Sequence, residues 1–170
     1  MYLPSKLSNN SNLIKIYQEF VKSHFKNGDY ALTLTFKPSD MQYHSKYKPD
    51  LFYFSEHIAH YLNVVNYKFL GRDFKCRGHR LKVVNTFELN GSQGVHCHMI
   101  LENPIKTRIK PCTHLNEILN CWLKTKCSGY SEANKIVATY DANGWIDYIF
   151  KDANKNNTDF IDYHNWFFPH

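Results

Sequence analysis

His96 and His98 stand one residue apart in the apolar run GVHCHMILENP, Gly94 to Pro104. In an extended strand, residues i and i+2 share a face, so the two imidazoles point together while Cys97 and Met99 point away. Such a pair suits a metal ion, and it equally suits the polar face of a half-exposed strand. A third donor would decide between them. The preceding run LKVVNTFEL, Leu81 to Leu89, reads as a partner strand, joined through NGSQG, in which Asn90-Gly91 is a hairpin signal. A turn centred on Ser92 sets Glu88 opposite His96 on the same face, with His98 one step diagonally away. A slip of one residue would send Glu88 to the other face.

One carboxylate and two imidazoles leave coordination positions open for water or substrate, the layout of a catalytic site as opposed to a closed structural one. The set tolerates Mg²⁺, Mn²⁺, Zn²⁺ or Co²⁺. A carboxylate and a phosphate substrate favour Mg²⁺ or Mn²⁺, whereas imidazoles pull toward softer ions, so the expected ion is Mn²⁺ with Mg²⁺ as its cellular alternative. A metal that polarises a phosphodiester still needs a nucleophile. The segment DYIFK supplies a phenol, Tyr148, and a cation, Lys151, three residues apart and therefore on one helical face. The same spacing also fits an amphipathic helix that buries its tyrosine and lets its lysine reach solvent.

The elements that must carry these groups follow from periodicity. Residues Asn12 to Asn27 place Leu13, Ile16, Phe20, Val21 and Phe25 at helical spacing after cap candidates Asn9 to Ser11, with an end near Gly28. Tyr30 to Phe36 alternates as a first strand before Pro38. A polar loop follows, and a second helix is predicted from Leu51 to about Asn66. Thr113 to Lys126 reads as a helix capped by Thr113, Lys135 to Tyr140 as a strand, DANG as a turn, and Trp145 to Ala153 as a short helix. Helices around an antiparallel hairpin argue for an α+β fold, a central antiparallel sheet with helices packed on it. At 170 residues the chain fits a single domain over 1–170, with a catalytic core at 30–153 and a tail at 154–170.

The net charge of +6 points to a polyanionic partner. The charge concentrates between Lys68 and Lys82, where Lys68, Arg72, Lys75, Arg77, Arg80 and Lys82 face a single acid, Asp73; this stretch reads as a solvated loop or a DNA backbone track. Tyr43, Tyr47 and Trp166 are candidates to stack on bases. Five cysteines without a C-x-x-C indicate neither a disulfide framework nor a zinc knuckle, and no run is long and apolar enough for a membrane span. A cytoplasmic protein is expected.

Three segments together resemble the HUH endonuclease superfamily, particularly its rolling-circle replication initiators. They are the strand LTLTF, Leu32 to Phe36; the run FELNGSQGVHCHMILENP with Glu88, His96 and His98; and GWIDYIFKD with Tyr148 and Lys151. Their order and rough spacing agree with the family and span most of the chain. The resemblance implies a ferredoxin-like or RNA-recognition-like sheet with the histidines on a middle strand. It also implies metal-dependent cleavage of single-stranded DNA by tyrosine attack, leaving a 5′-phosphotyrosine and a free 3′-hydroxyl, followed by strand joining. Cys97 replaces the bulkier apolar residue usual between the histidines, and as a small hydrophobe it fits there. Position 152 is Asp, so a second nucleophilic tyrosine one turn after Tyr148 is absent. No phosphate-binding G-x-x-x-x-G-K-[ST] occurs, so unwinding falls to a host or element helicase. A monomer acting on single-stranded DNA at an origin, with or without a hairpin, is expected. The alternatives are a single-tyrosine transposase of the same superfamily and a non-catalytic single-stranded nucleic-acid-binding module.

Overall fold

The computed structural model describes residues 7–37, 51–90, 94–105, 107, 109–151 and 160–169. Helix α1 spans Leu7–His24 and strand β1 Tyr30–Thr35. Helix α2, Leu51–Leu70, is followed by the short α3, Arg72–Arg77, and by the hairpin strands β2, Val83–Asn90, and β3, Gly94–Leu101. Helix α4, His114–Leu123, strand β4, Lys135–Ala138, and helix α5, Ala142–Ile149, complete the order. The four strands form one antiparallel sheet in the order β2-β3-β1-β4. This is an α+β arrangement with helices on the sheet. No helix among the described residues is long and apolar enough to cross a membrane.

Strand alternation divides the apolar side chains between two cores. Val95, Cys97, Met99 and Leu101 of β3, with Leu32 and Leu34 of β1, face α2 and α4, where Phe54, Ile58, Tyr61, Val65 and Trp122 are almost wholly buried. Ile100 of β3 and Val84 of β2 face α1 and α5, packing with Ile14, Val21, Ile146 and Ile149. Two sheet faces each covered by helices give three layers. His96 and His98 belong to the α1 and α5 side by the same alternation.

Several boundaries differ from expectation, each for a local reason. Helix α1 starts before the cap candidates Asn9 to Ser11 and buries Ile14, Gln18 and Val21, with Phe25 buried just past its end, while Leu13, Ile16 and Phe20 are 44–64% exposed. Its inward face is thus rotated from the richest apolar spacing, because Gln18 occupies a buried position. Helix α2 runs four residues past Asn66, and the basic segment then forms α3 in place of a loop, ended by Gly78 at φ 70°, a left-handed C-cap. Thr113 stands at the N-cap position of α4 but makes no side-chain cap bond; it ends a 3-10 turn, Pro111–Thr113, with its hydroxyl donating to the Lys110 carbonyl at 2.8 Å. Ala142, Asn143 and Gly144 of DANG are helical; Asp141 accepts from the Gly144 amide at 2.9 Å and caps α5, which starts at Ala142. The hairpin turn 91–93, Tyr43, Tyr47 and Asp152 lie outside the described residues.

Strand β2 forms one edge of the sheet, and the C-terminal segment closes that edge. Isolated bridges pair Thr86 with Ile161 and Val83 with Phe167. Asp162, 6% exposed, accepts from Ser55 Oγ at 2.8 Å, Asn85 Nδ2 at 2.7 Å and Asn165 Nδ2 at 2.7 Å, fixing the tail to both β2 and α2. A buried carboxylate is tolerated because these donors replace its water. Asp162→Ala leaves them without that acceptor and is expected to cost about 3 kcal/mol, at roughly 1 kcal/mol for each lost bond, measured by urea unfolding. Faster proteolysis of the C-terminal segment should accompany the loss.

Candidate active site

Strand β3 lies between β2 and β1, and the two registers together fix what surrounds its histidines. His96 pairs with Glu88 on one side and Thr35 on the other; His98 pairs with Thr86 and Thr33. Directly paired residues share a face, so Glu88, His96, His98, Thr33 and Thr86 stand on the same side of the sheet. The pairing expected from a turn centred on Ser92 is the pairing in the structure.

Glu88 joins the strands to the helix. His98 Nε2 approaches Glu88 Oε2 at 2.6 Å, and Lys151 Nζ donates to Glu88 Oε1 at 2.8 Å. Burial alone would raise the Glu88 carboxyl pKa, but the hydrogen bonds from Lys151 and His98 outweigh it and hold the group below its ordinary value. Burial also lowers the His98 pKa, against the opposing pull of Glu88, so the ring is neutral at physiological pH. Lys151 is pulled down by burial but raised overall by Glu88 and Tyr148, so it stays a cation. The resting charges are therefore a carboxylate, an ammonium and a neutral imidazole. Nε2–H of His98 donates to Glu88, while Nδ1 meets Thr33 Oγ1 at 3.2 Å. A hydroxyl can donate or accept, so Thr33 supports either imidazole tautomer.

Helix α5 is held over this face at both ends. Trp145 Nε1 donates to the Met99 carbonyl at 2.9 Å, and Thr86 Oγ1 donates to the Ile149 carbonyl at 2.9 Å. Ile146 and Ile149 enter the core, which turns the Trp145 and Tyr148 side of the helix toward β3. The two aromatic rings stack, with centroids 5.1 Å apart and planes 19° apart. The Tyr148 ring meets His98 edge to face at 5.1 Å and is 41% exposed. Lys151 lies beyond the last residue of α5, in the closing turn, and not on the helical face read from the i, i+3 spacing. Its amide still bonds the Tyr148 carbonyl at 3.1 Å, which brings Nζ to 4.1 Å from the Tyr148 ring centroid.

Donor chemistry fits a divalent ion at Glu88, His96 and His98. A neutral imidazole and an ionised carboxylate are the forms that ligate, and Thr33 on the far nitrogen of His98 is the kind of partner that orients a ligand. Glu88 and His98 bond to each other, and the two histidine ring centroids are 6.3 Å apart. Among the described residues no group of three His, Cys, Asp or Glu side chains is already gathered as a cage. A divalent ion held there would need His98 Nε2 and Glu88 as donors, with the imidazole proton carried on Nδ1 toward Thr33 Oγ1.

The basic segment is not brought to this site. Lys82 precedes β2 and Glu88 lies near its other end, six residues or about 20 Å along the strand. Lys68 pairs with Glu117, Arg77 with Asp73 at 3.1 Å, and Lys82 donates to the His24 carbonyl at 2.8 Å. Lys75 lies over Tyr67 and Arg80 over Phe74; Arg72 is exposed on α3. Trp166 is half-buried against α1 and the sheet, with Nε1 donating to the Asn85 carbonyl at 3.0 Å, so it anchors the tail.

Thr33, Thr86 and Trp145 escaped the sequence reading. Trp145 carried a signal, an aromatic three residues before Tyr148, whereas Thr33 depends on β1 pairing with β3, which no local pattern announces. Comparison with protein-family models, with curated proteins and with solved structures gives no match to this chain. Thr33→Val, which removes the hydroxyl behind His98, is expected to weaken Mn²⁺ binding about tenfold. Glu88→Gln should weaken it more, both read by isothermal titration calorimetry.

Proposed function

We propose that the chain is a metal-dependent, single-tyrosine endonuclease and strand transferase for single-stranded DNA, of the HUH type, which starts rolling-circle replication of a mobile element. The observation that carries this reading is the contact of Lys151 with both Glu88 and Tyr148. It joins the phenol to the three metal-ligand candidates across the space between a helix turn and a hairpin. The histidines on an inner strand of an antiparallel sheet, with the tyrosine helix laid over them, agree with the ferredoxin-like arrangement of that superfamily.

In this reading the Tyr148 oxygen attacks the scissile phosphorus. The new bond joins phenolic oxygen to phosphorus, the bond from phosphorus to O3′ breaks, and the phenolic proton leaves to water while the departing O3′ takes one up. A 5′-phosphotyrosine and a free 3′-hydroxyl result, and attack by a 3′-hydroxyl reverses the step and joins strands without ATP. Trp145 holds the phenol by stacking and keeps it from rotating into solvent. Lys151, a permanent cation beside the ring, stabilises the developing phenolate and the phosphate charge. A divalent ion held by Glu88, His96 and His98 would supply Lewis-acid polarisation of a non-bridging phosphate oxygen.

In this reading an extended strand reaches the site along the same face. Thr33 pairs with Lys135 and Ala31 with Val137, so β1 and β4 continue the histidine face outward to the sheet edge. Lys135 and Val137 are exposed there, and Tyr148 is 41% exposed on the same side of the sheet.

Tyr148→Phe is expected to abolish covalent protein-DNA adducts on denaturing gels while leaving binding of single-stranded DNA within about twofold of wild type. Adducts that persist in that variant would overturn the reading. Chelation should stop nicking and Mn²⁺ should restore it. Lys151→Ala should slow nicking about 100-fold, the usual cost of removing one charge-stabilising donor, with little change in KM.

A further inference from the structure

The cations that the active site does not use border a cleft at the opposite end of the sheet. It measures about 740 Å³, within the range of small-molecule sites. Its apolar lining includes Leu81, Pro104, Ile105 and Phe167, and Arg77, His79 and Arg80 stand along one wall. Ile105 is 70% exposed, an unusual position for a large aliphatic side chain next to guanidinium groups. A second cleft, lined by Lys68, Arg72 and Lys75, adjoins the first and shares Leu70 and Thr107 with it.

Arg80 is held in place: Nη1 donates to Asn63 Oδ1 at 2.8 Å, and its guanidinium lies 5.0 Å over the Phe74 ring. Among the described residues Asn63 is its one hydrogen-bond acceptor, and a guanidinium carries five N–H donors. A planar donor held in this way is suited to a phosphate. Among the described residues Arg77 pairs only with Asp73, at an exposed site where such pairs contribute little and exchange readily. Glu102, the acid of the cleft, is neutralised by Lys82, whose amide donates to it at 3.0 Å and whose Nζ lies 3.8 Å away.

We propose that this cleft is a second nucleotide site. It takes an unpaired nucleotide of the strand cut at Tyr148, with the base against Ile105 and Phe167 and the phosphate against Arg77 and Arg80. The inference rests on the proposed function for the identity of the strand. An apolar cleft bordered by cations accepts a base and its phosphate together, and contact with a base's face is tolerant of sequence. Since the cleft opens at the Leu81 and Glu102 ends of β2 and β3, about 20 Å from Glu88, it engages DNA remote from the scissile phosphate. It therefore sets affinity and not the chemical step.

The test compares two single-stranded oligonucleotides, one long enough for the active site alone and one extended by roughly ten nucleotides on both sides, a span typical of such sites. Fluorescence anisotropy and adduct formation are both read. For the wild-type chain, extension is expected to tighten binding at least tenfold. In Arg77→Ala/Arg80→Ala that gain should fall to less than threefold, with a salt slope shallower by about two. Ile105→Asp, at an exposed position that leaves the core intact, should lose the gain as well, and melting temperatures verify that both variants fold. A gain equal to wild type in the folded variants, or no gain in wild type, overturns the proposal. Anisotropy decides this even if no adduct forms; missing adducts would count against the nicking reading alone.

Discussion

The register of β2 on β3 is the constraint from which the candidate site follows. Because side chains alternate, pairing Glu88 with His96 puts a carboxylate and two imidazoles on one face and sends Cys97 and Met99 into the opposite core. A slip of one residue would bury the imidazoles among Phe54, Tyr61 and Trp122 and expose a methionine and a cysteine. The core therefore enforces the site: any other pairing loses apolar burial and strands polar rings without partners. Register on the other side, with β1, adds Thr33 behind His98 by the same rule.

Glu88 then converts strand geometry into helix position. Its two oxygens are taken by different elements, Oε2 by His98 on β3 and Oε1 by Lys151 after α5. Thr86, two residues earlier on the same face, bonds the Ile149 carbonyl two residues before Lys151. The helix end is thus tied to β2 at two matched points, and Trp145 ties the helix start to β3. Tyr148, between them, has little freedom to leave His98. Such support of reactive groups by neighbours that are themselves fixed is what precise positioning requires.

Charge is distributed in the opposite sense. The largest concentration of Lys and Arg lies away from the candidate chemistry, around α3 and the start of β2, while the site itself balances Glu88 against Lys151 and a neutral His98. Under the proposed function, separation of this kind would let one surface gather a polyanion while another handles a single phosphate. The C-terminal segment supports both regions: Ile161 closes the β2 edge at Thr86, beside the site, and Phe167 lines the distant cleft.

Much of this was legible in the chain. The alternation of GVHCHMILENP, the Asn90-Gly91 turn and the periodicity of α2 depend on neighbours in sequence, so local rules recovered the hairpin, its register and the α+β class. The rest depended on contacts between distant segments. Leu13, Ile16 and Phe20 made the richer apolar spacing of α1, yet the sheet met the face carrying Ile14 and Val21. The basic stretch read as a loop because its helix is short and entirely without buried residues. Trp166 offered no local sign that it would anchor a tail on Asn85. Sequence by itself determined which residues could do chemistry and which face of the hairpin would carry them, because strand period and turn length are local. Only the tertiary structure decided that Lys151 meets Glu88, that Thr33 backs His98, and that the cations gather elsewhere, because strand order and helix docking are set by burial across the whole fold.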